Sequence, residues 1–247
     1  MKNTSSENRK LFLMINSIIL IWGLGCLASA GAYEAISVEH GGELVGKILF
    51  KGNRPPKTLH QVKSNADYCG SEIEDDPYKV HLENRGLANV VISLEGISKG
   101  KIHVPSIIPL EMVKCRYSPR IFTGVVGDSF GLLNQDPILH NSHLRIEDAT
   151  LLNIALYPNG KKIVKPLTQS GTIQVKCEIH PFMSATMVIF DHPYFAVTNQ
   201  NGDYTISDIP AGNYKVKIWH EGVPVIEKEV TIHPAMKTNL SVELSLP

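Results

Sequence analysis

The chain has 247 residues, of which 43% are hydrophobic and 19% charged; this is globular composition and excludes a mostly disordered protein. Lys+Arg and Asp+Glu both number 24, so the formal charge is zero, which excludes nucleic-acid binding through bulk positive charge. Four cysteines are too few for a disulfide-dense scaffold, and at roughly 150 residues per domain the length allows one large or two small units.

The chain opens on Lys2, Arg9 and Lys10, then an apolar run from Leu11 to Leu27, then Ala28-Ser29-Ala30. Positive start, apolar middle and small-x-small end make a secretory signal peptide over residues 1–30. The alternative is a retained anchor, but the run is barely long enough and Asn16 and Ser17 interrupt it. Gly23-Leu24-Gly25 before Cys26 is a poor lipobox. No later segment is apolar enough to span a membrane, so the processed protein is expected to be periplasmic or secreted, with no stable membrane span.

Beyond residue 40 the pattern is of short β-rich runs separated by turn residues. Predicted strands cover residues 43–50, 87–94 and 123–133, the last containing Gly127-Asp128 as a turn. Further strands are predicted over 171–177, with Ile173, Val175 and Cys177 on one face, and over 187–190, an apolar run suited to burial on both sides. Tyr214, Val216 and Ile218 alternate, as do residues 225–232. Asn201-Gly202 predicts a hairpin turn. The polar stretch 51–77, with Pro55-Pro56, predicts a long irregular loop. The fold class is all-β sandwich.

One short stretch carries chemistry. Cys177-Glu178-Ile179-His180-Pro181-Phe182-Met183 brings a thiolate, an imidazole and a thioether together at C-x2-H-x2-M spacing. Two soft sulfurs and an imidazole select copper over harder ions. A blue-copper site needs a second histidine, which must come from another strand. His140 and His143 follow the apolar Phe130–Leu133 run and are the candidates.

These residues resemble the cupredoxin family, and most closely its plastocyanin- and amicyanin-like members. In them a strand ending in N-x-D-x3-H-N supplies the first histidine, here Asn134-Gln135-Asp136 through His140-Asn141. A later strand begins G-T and ends in Cys, here Gly171-Thr172 and Cys177, and His-Pro-Phe-Met is characteristic of amicyanin-like loops. The resemblance covers about residues 107–190. It implies a Greek-key cupredoxin sandwich holding one type 1 copper ion on His140, Cys177, His180 and Met183. It also implies that Asn141 fastens the first histidine segment to the ligand loop. His180 would lie near the surface and, with Pro181 and Phe182, form an electron port. Four protein ligands leave no open position for substrate, so an electron carrier rather than an enzyme is implied, with redox partners such as a c-type cytochrome or a dehydrogenase. Lys176 departs from the aromatic residue usual before the cysteine. His143 is expected beside the site or exposed, Met187 in the core, and His81, His103, His192, His220 and His233 at the surface.

With Cys177 assigned to the metal and Cys26 to the leader, Cys69 and Cys115 are expected to pair. Closing that loop stabilises by about 4 kcal/mol on the chain-entropy model.

The tail, from Ala196 through Thr198, Asn201-Gly202-Asp203-Tyr204 and Ile209-Pro210-Ala211-Gly212-Asn213-Tyr214, resembles carboxypeptidase regulatory-like (transthyretin-like) domains. This resemblance implies a second small β-sandwich without catalytic residues. Its few strands need completion, so the expected organisation is an interrupted module, residues 31–105 plus 192–247, around a cupredoxin domain at 106–191. The alternative is that the N-terminal strands join the cupredoxin sheet. Electron transfer is the leading functional expectation. Copper delivery and a surface-interaction role with a structural cupredoxin fold are the alternatives.

Overall fold

The computed structural model describes residues 33–246; the leader expected over 1–30, with Cys26, lies outside the described residues. The described chain is nearly all β, as strands separated by turn residues require. Its apolar side chains gather into two separate cores.

The first core lies between two sheets. One orders the strands Ile163–Pro166, Ser129–Asn134, Ile107–Met112 and Tyr117–Ser118. The other orders Ala149–Leu156, His140–Ile146, Gly171–Lys176, Ser184–Phe190 and Ile121–Val125. Alternation decides which side chains enter: Ile173, Val175 and Cys177 point inward, while the alternate residues Thr172, Gln174 and Lys176 are exposed. Met187 is fully buried here. The Gly127-Asp128 turn forms, but the strands it joins belong to different sheets. Asp128 is buried in that turn and accepts the Val125 and Ser106 backbone N–H groups at 2.8 and 2.7 Å.

The second core is built from both ends of the chain. One sheet orders Phe195–Val197, Val91–Glu95, Gly212–His220 and Val223–Ile232. The other centres on Gly42–Phe50, paired antiparallel with Asp203–Ile209 and parallel with Lys237–Asn239 and Val242–Leu244. Early strands therefore pair with late ones around the intervening segment. Thr198 ties them further: its hydroxyl accepts the Val90 N–H at 2.9 Å and donates to the Leu87 carbonyl at 2.7 Å. Tyr204 is buried in the core and donates to the Leu240 carbonyl at 2.7 Å.

Three expectations change. Asn201-Gly202 does turn, with Gly202 at φ 78, but it is not a hairpin. The preceding Phe195–Val197 strand pairs with Val91–Glu95 and the following strand with Gly42–Phe50, so the turn crosses between sheets. A Cβ on Gly202 would collide with the Ile48 carbonyl, so both space and backbone angle demand glycine there.

The polar 51–77 stretch is not an irregular loop throughout. Thr58–Gln61 and Glu72–Asp75 pair as an antiparallel ribbon, with a helical turn at Ala66–Cys69 between them. Its apolar residues Val62 and Ile73 are buried in the first core, so two anchors order a segment whose composition reads as loop.

His220 is not at the surface but buried, its ring 5.4 Å from that of Tyr78. Arg120 links the chain's regions by ion pairs to Asp75 of the ribbon and to Glu221, the latter at 2.7 Å.

Candidate metal centre

Three donor atoms converge at one end of the first core. His140 opens the His140–Ile146 strand and is fully buried. Cys177 directly follows the Gly171–Lys176 strand and is a free, buried cysteine. His180 lies on the loop beyond it, also fully buried. The two Nδ1 atoms are 3.1 Å apart. The Cys177 Sγ lies 3.7 Å from His180 Nδ1 and 4.0 Å from His140 Nδ1. These separations suit atoms that share one ion through bonds of about 2.0–2.3 Å.

The loop is held by its own backbone. The Met183 N–H donates to the His180 carbonyl at 2.9 Å, and the Cys177 N–H donates to the Met183 carbonyl at 3.2 Å. Met183 is thereby folded back against Cys177, and its side chain is buried in the same core. Asn141 fastens the loop to the first histidine strand: its Oδ1 accepts the Glu178 N–H at 2.5 Å, and its Nδ2 donates to Asn153 Oδ1 at 2.8 Å. Tyr117 donates to the Asn141 carbonyl at 2.8 Å, and burial pushes its phenol well above the ordinary range. His143 lies at the edge, between Glu178 at 2.5 Å and Thr150 at 2.9 Å, and is not among the converging donors.

The outer nitrogens of both histidines face oxygen acceptors. His140 Nε2 is 2.9 Å from Asp136 Oδ2, and His180 Nε2 is 3.1 Å from Asn65 Oδ1. The tautomers assigned from these partners put the proton on each Nε2 and leave each Nδ1 a lone pair. Two lone pairs 3.1 Å apart beside a thiol sulfur repel one another unless a cation lies between them. The donor set therefore fits a soft or borderline metal ion.

Burial lowers the His140 pKa, with the Asp136 carboxylate opposing. Burial and the neighbouring His140 lower that of His180. Asp136 is held below the usual carboxylate range: burial works against its charge, but the Cys115 N–H, His140, the Tyr68 hydroxyl and the Lys114 N–H outweigh it. Asp136 also lies close to Cys115 and His140 as a second possible ligand group. Cys115 is, however, bonded to Cys69, and the Asp136 oxygens are occupied by those hydrogen bonds.

The electron port needs correction. Pro181 is exposed and Phe182 half-buried, but His180 is fully buried beneath the helical turn and Asn65. The surface edge of that histidine is covered by the protein's own N-terminal ribbon. A cleft of about 300 Å3 borders the loop at Phe182 and Met183 and is lined also by Tyr117, Asp75, Arg116 and Arg120.

Sequence reasoning left Asp136, Asn65 and Tyr68 without a role. Asp136 stood within N-x-D-x3-H-N, and its spacing four residues before His140 was the available signal. Asn65 and Tyr68 act over separations of 115 and 68 residues, and no local pattern marks them.

The family profile described as polysaccharide lyase family 4, domain II, matches residues 189–240. This is the stretch whose residues resemble carboxypeptidase regulatory-like domains, and the matched family carries a different name. No curated protein matches the sequence. Among solved structures, a Cu-containing nitrite reductase from Thermus scotoductus SA-01 is similar at 18% identity and a TM-score of 0.32, over 37% of this chain and 23% of its own. A reduced amicyanin variant is similar at 24% identity and a TM-score of 0.31, over 34% of this chain and 81% of its own. A purple cupredoxin from Nitrosopumilus maritimus is similar at 18% identity and a TM-score of 0.30, over 34% of this chain and 99% of its own. Likeness at these scores says nothing of ligand or activity, which must be argued from the residues.

Proposed function

We propose that this is an exported type 1 copper protein that passes single electrons between redox partners and turns over no substrate. The observation that carries the reading is the convergence of the His140 and His180 Nδ1 lone pairs on the buried Cys177 thiol, with each Nε2 proton held by an oxygen. His140, Cys177, His180 and Met183 would hold the ion. When bound, copper supplies a one-electron couple.

The protein's part is to hold the donors still. Asp136 and Asn65 keep each Nε2 protonated and so keep each Nδ1 unprotonated. Asn141 fixes the loop against the first histidine strand. Complete burial of both rings keeps bulk water away from them. The outward route is the cleft at Tyr117, Phe182 and Met183, since the histidine edge is covered. The partners are redox proteins such as a c-type cytochrome or a dehydrogenase. The compartment is periplasmic or secreted, as the leader pattern and the Cys69–Cys115 bridge favour. Among the described residues no helix is long and apolar enough to cross a membrane.

Adding Cu(II) to the purified protein is expected to give an intense visible thiolate-to-copper band that Cys177→Ser abolishes. A folded protein that stays colourless overturns the reading. A band that a chelator removes within minutes would favour copper delivery instead.

A further inference from the structure

We propose that residues 62–73 form a disulfide-latched lid over the metal centre, in which Asn65 and Tyr68 are positioning residues for its two histidines. The proposal rests on reading His140, Cys177, His180 and Met183 as ligands. The lid has two apolar feet, Val62 and Ile73, both buried in the first core. Between them residues 63–68 are exposed on their outer side, while His180 beneath is wholly inaccessible.

Each histidine is reached by one lid residue. Asn65 Oδ1 meets His180 Nε2 directly at 3.1 Å. The Tyr68 hydroxyl donates to Asp136 Oδ1 at 2.9 Å, and the other oxygen of that carboxylate holds His140 Nε2 at 2.9 Å. Asn65 has φ 56, a left-handed conformation that asparagine tolerates better than most residues.

The latch and the contact residue share one turn of chain. The Asn65 carbonyl accepts the Cys69 N–H at 2.8 Å, and Cys69 is bonded to Cys115. The Cys115 N–H donates in turn to Asp136 Oδ2 at 2.8 Å. Fixing Cys69 therefore fixes Asn65 over His180.

Opening is a thiol–disulfide exchange with an external dithiol. Its thiolate attacks the sulfur of Cys69, the half-buried member of the pair, and Cys115 leaves as a thiolate and takes up a proton. The donor's second thiol resolves the mixed disulfide. Two electrons have then passed to the bridge, the donor is a disulfide, and Cys69 and Cys115 are thiols. The unlatched lid keeps its feet, the pairing of the ribbon strands that flank it and two side-chain hydrogen bonds to the site, and it opens more often. His180 Nε2 then meets solvent, and metal donors or redox agents reach a histidine edge that the latched protein denies them.

The test uses the metal-free protein and diethyl pyrocarbonate, with each modified histidine followed by peptide mass. In the wild type, His180 is expected to react at least about tenfold more slowly than exposed His233. Removing the latch (Cys69→Ser with Cys115→Ser) or the contact (Asn65→Gly, which keeps the left-handed backbone) should raise the His180 rate about tenfold. Asn65→Asp, which restores an acceptor, should return it to the wild-type rate. His233 is the internal control throughout. If the bridge-free variant does not fold, wild-type protein reduced by a dithiol replaces it, and Asn65→Gly retains the bridge. A His180 rate equal to that of His233 in the wild type, or unchanged by removal of either latch or contact, overturns the proposal. The copper band plays no part in this reading, so failure of the copper assignment and failure of the lid show separately.

Discussion

The two cores are of similar construction and opposite character. The second is almost wholly apolar; its buried polar residues are Ser93, Thr198 and His220, on separate strands or turns. The first concentrates Asp136, His140, Asn141, Ser142 and His180 at one end. Burying such groups is costly unless each finds partners. The second core shows that the same kind of sandwich folds without such a cluster.

The sharpest way to break this contrast is Asp136→Ala. It leaves the Lys114 and Cys115 N–H groups and His140 Nε2 without their acceptor. The expected loss is about 3–5 kcal/mol of stability in denaturant titration, typical of an uncompensated buried partner. Copper affinity should fall about 10–100-fold in a metal titration. A loss below about 1 kcal/mol would mean that the polar cluster is not tightly coupled.

Ordinary packing should not distinguish the cores. Leu132→Ala in the first and Leu44→Ala in the second each remove a fully buried side chain. Both are expected to cost about 2–5 kcal/mol by urea unfolding. The copper band should survive Leu44→Ala wherever the protein remains folded.

The smallest effect belongs to His220, a buried histidine beside the second core. Burial lowers its pKa from the ordinary 6.5; Glu221 and the Pro77 backbone oppose this and Arg120 reinforces it. The unfolded chain thus binds the proton first as pH falls. The stability held above pH 6.5 declines below it, down to the folded-state pKa. His220→Phe, placed beside Tyr78, should remove at most about 1.4 kcal/mol per pH unit from that slope. Unfolding midpoints measured between neutral pH and about pH 5.5 check it; identical slopes would refute a neutral buried His220.

What could be read in advance divides by distance along the chain. Cys177, His180 and Met183 fall within seven residues, and the loop that joins them is a local matter. His140 could be read because its strand carries a fixed motif, and inward alternation placed Cys177 on the correct face. The 51–77 ribbon could not be read, since its two anchors, Val62 and Ile73, gain their meaning only from a core formed by residues beyond 107. The covering of His180 was hidden for the same reason. Asn201-Gly202 shows the converse: its turn chemistry is local and correct, while the pairing of its flanking strands is decided by distant residues.

The strand Gly42–Phe50 has a consequence for the order of assembly. Every strand paired with it comes from residues after 200. It must wait through the whole intervening segment before it can be zipped into a sheet, and loop closure on that scale slows folding more than it weakens the product. The segment from Ile107 to Phe190 has no such delay, because the strands of its two sheets all lie within it. The two sheets of the inner segment can therefore form while the sequence on either side of them is still an open chain.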